Sequence, residues 1–169
     1  MNNTKQTRNL WLLAGRVVFT LALVGTMAFI FSNSMAVAEV SNQTSGAVQN
    51  QLYALLDKAG LSGLKTLFTV RVIRKLAHLA EYMLLGFWWM LCLRVYTRHF
   101  IRHISWPVLA CLLTALVDET LQLYSAGRNG SITDLWIDFG GSLAGLVCGL
   151  LLLCLCRMIY ILIKYRNKE

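Results

Sequence analysis

Three apolar stretches in this chain are each long enough to cross a lipid bilayer: about Leu10 to Phe31, about Leu76 to Val95, and about Leu135 to Ile163. A bilayer core takes roughly 20 apolar residues as a helix. Lipid offers no partner for an unpaired backbone amide, so segments of this length are read as helices. A fourth, weaker stretch runs from about Trp106 to Tyr124 and carries Asp118 and Glu119. Only 14% of the residues are charged, against about 25% in a soluble domain. The chain therefore predicts an all-α, polytopic membrane helical bundle, one domain over residues 1–169, with four transmembrane helices at about 10–31, 76–95, 106–124 and 135–163. The first apolar run is too long for a signal-peptide core. This favours a retained helix, although the small residues of Phe31 to Ala38 resemble a cleavage site.

The distribution of charge sets an orientation. Lys5, Arg8 and Arg16 precede or open the first helix, Arg94, Arg98 and Arg102 join the second to the third, and Arg157, Lys164, Arg166 and Lys168 close the fourth. The positive-inside rule then predicts cytoplasmic termini and a cytoplasmic second connection. Arg16 and Arg157 should snorkel to that side. Lys58, Lys65, Arg71, Arg74 and Lys75 in the first connection oppose this, partly offset by Glu39 and Asp57.

This topology gathers polar residues from distant segments on the outer side. Lys75, His78, Glu81 and Tyr82 open the second helix, Asp118, Glu119 and Gln122 close the third, and Asp134 and Asp138 open the fourth. Carboxylates at a membrane boundary are costly to desolvate and mark a candidate site. At about 100° per residue, Lys75, His78, Glu81, Tyr82 and Gly86 share a face. So do Cys111, Thr114, Asp118, Gln122 and Ser125, with Glu119 at the margin, and likewise Asp134, Asp138, Gly141, Gly145 and Gly149. The glycine ladder should let another helix approach closely and hold the aspartates against the second or third helix.

Between the first two spans, Val48, Leu52, Leu55, Leu56 and Ala59 follow helical spacing, with Gly60 as a stop. They predict a short amphipathic helix on the outer surface, preceded by a polar loop from Ser41 to Gly46. Gly127 to Gly130 reads as a tight turn presenting Arg128. Ser131-x-x-Asp134 has the form of a capping box, which would make Asp134 a helix starter. Trp106 and Trp136 read as interface anchors. The five cysteines lie in spans without zinc spacing and read as packing residues. The C-terminal basic run reads as a cytoplasmic anchor, not a nucleic-acid site.

Arg74-Lys75-Leu76-Ala77-His78-Leu79-Ala80-Glu81-Tyr82 followed by Leu85-Gly86, then Asp118-Glu119-x-x-Gln122 with Gly127-Arg128, then Asp134-x-x-x-Asp138-x-x-Gly141-x-x-x-Gly145, together resemble the motifs of the VanZ-like family. Phe31-Ser32-Asn33-Ser34 is similar to its short F-S-x-S stretch. The resemblance runs from about Phe31 to Gly149. Two positions depart from it: Leu79 replaces a frequent aromatic, and Asp138 stands where many members carry asparagine. The resemblance implies a bacterial cytoplasmic-membrane protein of the cell envelope, associated with low-level glycopeptide (teicoplanin-type) resistance.

Five carboxylates set against Lys75 and Arg128 leave an excess of negative charge, which Arg71 and Arg74 would offset only in part. Such carboxylates near lipid take up protons, partners or cations. Three readings of the ten residues Lys75, His78, Glu81, Tyr82, Asp118, Glu119, Gln122, Arg128, Asp134 and Asp138 follow. They bind a lipid-linked cell-wall precursor, a lipid headgroup or a glycopeptide, with Lys75 and Arg128 as anion contacts. Alternatively, they form a membrane-embedded acid–base enzyme with His78, Glu81, Asp118 and Glu119 as the candidate groups. Or they pair with one another structurally, Glu81 with Arg128, Lys75 with an aspartate, Tyr82 with a carboxylate. His78 and Glu81 at i, i+3 do not by themselves make a metal site, so no metal ligand is assigned, and the residues name no cofactor.

Overall fold

A computed structural model of the chain describes residues 2–36, 38–97, 99–127 and 130–166. Arg98, Arg128 and Lys168 of the sequence reading lie outside the described residues. Among the described residues five helices follow one another: α1 (Asn2–Met35), α2 (Ala38–Lys58), α3 (Val70–Tyr96), α4 (Ser105–Leu123) and α5 (Ile132–Arg166). Short 3-10 turns at Ser62–Leu67 and Phe100–His103 precede α3 and α4. Among the described residues four segments are long and apolar enough to cross a membrane: Asn9–Met35, Val70–Tyr96, Phe100–Leu123 and Ile132–Arg166. The all-α bundle with four spans stands as expected.

Local chemistry explains the boundaries. Thr69 starts α3, its side-chain oxygen accepting from the Val72 amide at 3.3 Å, which satisfies a donor that the first helical turn leaves open. Helix α3 therefore begins about two turns before the expected position. Pro107 lies in the first turn of α4, where its missing amide costs nothing. Gly60 ends α2 at φ +72°. The Gly60 amide bonds the Asp57 carbonyl and the Leu61 amide the Leu56 carbonyl, the paired geometry of a Schellman stop that glycine adopts at little cost.

Ser41–Gly46, expected as a loop, is helical within α2. Propensity disfavours serine, asparagine and glycine in a helix, but tertiary contact overrides it here. Ser45 is buried, Asn42 accepts from Arg74 at 3.3 Å, and α2 lies against the first half of α3. Gln49 and Tyr53 tie α2 to the following turn by donating to the Phe68 carbonyl at 2.7 and 3.1 Å. Lys65 beside Asp57 holds that carboxyl below its ordinary range, with Ser62 adding a second hydrogen bond.

Helices α1 and α3 run antiparallel. Arg16 Nε near the start of α1 donates to the Val95 carbonyl at 3.1 Å and stacks on Tyr96, while Asn33 near its end reaches Glu81. Helix α4 returns the chain, so α5 runs parallel to α3 and the two make the most extensive contact in the bundle. Their backbones meet through glycine. A Cβ at Gly145 would run into the Met83 carbonyl, and one at Gly86 into the Ser142 carbonyl; a Cβ at Gly141 would stand 2.9 Å from the Leu79 carbonyl. The ladder thus packs on α3, and Trp136, Leu143 and Val147 on the opposite face of α5 are exposed. Tyr82, Leu85, Cys92, Cys111, Ala115 and Ile30 fill the core where α1, α3 and α4 meet. Trp106 and Trp136 remain exposed, as interface anchors would be.

Overpacking a filled contact costs about 1–3 kcal/mol or more. Gly145→Val should therefore lower the thermal unfolding midpoint of detergent-purified protein clearly. Gly140→Ala, one residue before the ladder with no atom within 4 Å of the added Cβ, should leave the midpoint unchanged or slightly raised. Equal effects from the two would contradict backbone contact as the basis of α3–α5 packing.

Candidate functional site

Because α3 and α5 are held parallel and in register, Lys75 and His78 on one meet Asp134 and Asp138 on the other. Lys75 Nζ lies 2.7 Å from Asp134 Oδ1. Helix α4 then brings Asp118, Glu119 and Gln122 against both. Asp138, almost fully buried, sits within electrostatic reach of Asp118, Glu119, Asp134 and Glu81. All five carboxylates of the sequence reading converge on one end of the bundle.

Glu81 lies about three turns inside α3, because that helix starts as early as Val70, and Asp118 and Glu119 lie about one turn before the end of α4, whereas Asp134 sits in the first turn of α5. Asp118 and Tyr82 are fully enclosed. The Ser34 hydroxyl donates to Asp118 Oδ1, and Gln122 Nε2 donates to Asp118 Oδ2 at 3.2 Å. Tyr82 directs its hydroxyl toward the Asp118 carboxylate. Glu81 accepts from Asn33 Nδ2 at 2.9 Å and lies 3.9 Å from His78 Nδ1.

Asp134 is not the capping residue that Ser131-x-x-Asp134 suggested. Glu119 Oε2 accepts from the Ser131 amide at 2.6 Å, so a carboxylate from α4 takes the donor that a capping box would use. That frees Asp134 to pair with Lys75. The pair is roughly two-fifths exposed on both sides; such pairs contribute about 0–1 kcal/mol, too little to be the reason for the cluster.

Two cavities flank His78 and Arg74. The first, about 180 Å³, is lined by Arg74, Lys75, His78, Glu119, Gln122, Gly127, Asp134, Ile137 and Asp138. The second, about 140 Å³, lies between α1, α2 and α3 and includes Asn33, Ser41, Ser45, Arg74, His78 and Glu81. Six of the ten predicted residues thus line the first cavity, Glu81 faces the second, and Tyr82 and Asp118 lie among the buried groups beneath. Arg128 lies outside the described residues, as does its expected pairing with Glu81; Gly127 beside it has φ +76°, consistent with the predicted turn.

Asn33, Ser34 and Arg74 belong to this polar constellation and were not among the ten. A signal for the first two was present: they interrupt the end of the first apolar run and sit in the F-S-x-S stretch. Arg74 was visible as the first residue of the Arg74–Tyr82 motif and as a charge set against the excess of carboxylates. Ser125 likewise ties α4 to α1, its hydroxyl donating to the Ser34 carbonyl at 2.8 Å.

Among known proteins, the family model described as VanZ/LLP1 fits residues 19–161, which include every element of the cluster. No curated protein matches the chain, and no solved structure does.

Glu119 joins two helices through a backbone amide, so its substitutions should separate by acceptor. Leaving a buried donor unsatisfied costs about 1–3 kcal/mol, and the Ser131 amide is part-buried. Glu119→Ala should therefore be destabilised toward the lower end of that range, read as the thermal midpoint in detergent, whereas Glu119→Gln keeps an acceptor oxygen and should stay near wild type. Matching losses would mean that the Ser131 contact contributes nothing.

Proposed function

The chain belongs to the VanZ/LLP1 family, and from that premise we propose that it is a bacterial cell-envelope membrane protein binding the anionic headgroup of a lipid-linked cell-wall precursor or related lipid. Through that binding it contributes to low-level tolerance of teicoplanin-type glycopeptides. The observation carrying this reading is the composition of the first cavity: α3 contributes Arg74, Lys75 and His78 to its lining, α4 Glu119 and Gln122, and α5 Asp134 and Asp138. The cations suit phosphate oxygens, and the acids suit hydroxyl or amine groups. Drug-sized ligands occupy roughly 300–1,000 Å³, so a space of about 180 Å³ suits a headgroup better than an entire glycopeptide. On this reading the protein changes access to the drug's target rather than capturing the drug.

The pocket faces outward, and both termini are cytoplasmic, on the positive-inside argument. The exposed start of α5 and the exposed start of α4 then lie on opposite sides. In a cysteine-free background, a membrane-impermeant thiol reagent added to intact cells should label Ile132→Cys and spare Ser105→Cys. The reverse pattern would invert the topology.

A second reading, acid–base catalysis on the same precursor, is favoured by the placement of His78 and three carboxylates, Glu119, Asp134 and Asp138, in that one cavity. His78→Ala and Glu119→Gln should accumulate to wild-type levels while losing most of the tolerance, measured as the glycopeptide concentration that inhibits growth. Turnover of a lipid-linked precursor by the purified protein would favour the enzyme, and saturable binding without turnover the binding reading. Failure of both variants to accumulate would make the cluster structural.

A further inference from the structure

We propose that His78, Asp118 and Asp138 form a binding site for one divalent cation of the Zn²⁺ or Mn²⁺ class, set between α3, α4 and α5. One imidazole nitrogen and one oxygen from each carboxylate all lie within 4.8 Å of one another. Ligands at about 2.0–2.2 Å from a common ion stand roughly 3–4.4 Å apart, so the three atoms need only a small inward movement to share one. A mixed nitrogen and oxygen donor set suits zinc or manganese better than the all-oxygen preference of calcium.

Charge points the same way. Asp118 and Asp138 are among the most deeply enclosed polar residues of the bundle. Among the described residues, Lys65 pairs with Asp57 and Lys75 with Asp134, and no lysine or arginine pairs with either enclosed aspartate. Two enclosed carboxylates without a cationic partner are expensive, and a bound cation removes that cost.

Tyr82 is a separate observation. Its side chain is completely buried, and its hydroxyl, directed at Asp118, has no partner at full hydrogen-bond geometry among the described residues. A buried hydroxyl is ordinarily paired; here it is poised toward the place where an ion and its ligands would sit. Ser34 and Gln122, each donating to one Asp118 oxygen, orient that carboxylate as outer partners of metal ligands commonly do. His78 and Asp138 also line the 180 Å³ cavity, so an ion there would have an open side toward it.

This inference goes beyond the ligand reading and is tested with the metal alone. Full-length protein in detergent, stripped with chelator and dialysed against Zn²⁺ or Mn²⁺, should retain about one ion per chain by elemental mass spectrometry. Its thermal midpoint should rise with added metal. His78→Ala and Asp138→Ala should lose at least about tenfold in affinity, in line with loss of a ligand, and lose the metal-dependent rise. Asp134→Asn, in the same cavity but outside the donor set, should keep both. Wild-type protein without bound ion, or Asp134→Asn losing it as fully as Asp138→Ala, would overturn the proposal. If the alanine variants do not accumulate, pulsed EPR of wild-type protein with Mn²⁺ decides: a nitrogen coupling from a bound imidazole supports the site, and its absence overturns it.

Discussion

The contact between the backbones of α3 and α5 is the constraint on which the rest of the molecule depends. At Gly86, Gly141 and Gly145 there is no room for a side chain between the helices. Such close approach gives dense packing, which substitutes in lipid for the hydrophobic drive that water supplies. It also fixes register. With the helices parallel and unable to slide past one another's glycines, Lys75 must face Asp134, and His78 must sit one turn further along beside Asp138.

Helix α4 and the end of α1 complete an enclosure around that seam. The polar groups there are linked across elements rather than along them: Asn33 to Glu81, Ser34 to Asp118, Ser125 to the Ser34 carbonyl, Glu119 to the Ser131 amide, Lys75 to Asp134. Each link joins two elements, so the cluster contributes to the assembly of the bundle. A purely structural network needs charges that cancel. Here Asp118 and Asp138 are deeply buried, while Arg74 and Lys75 line the wall of a cavity, partly accessible to solvent. That separation of charge suits a polar or charged ligand.

The number, order and approximate extent of the spans were legible in the chain because lipid allows one solution to long apolar runs. The convergence of Lys75, His78, Glu119, Gln122, Asp134 and Asp138 was legible as well, since alternating spans return alternate ends to one side. The partnerships were not. Ser131-x-x-Asp134 pointed to a local cap, yet Glu119, on α4 and earlier in the chain, takes the Ser131 amide. A local pattern carries no information about a competitor from another helix. Ser41–Gly46 looked like a loop because propensity was the sole guide; contact with α3 decides otherwise.

Sequence by itself determined the class of the protein, its family motifs and which residue types would be driven out of lipid toward one another. Hydrophobic length and helical periodicity are local properties, and they survive translation into structure. Tertiary structure alone decided that Asn33 and Ser34 join the cluster, that Glu81 turns toward a second cavity, and that His78, Asp118 and Asp138 come within one ion's reach. Those outcomes depend on the distance between helix axes and on their register, and both are set where glycine lets two backbones touch.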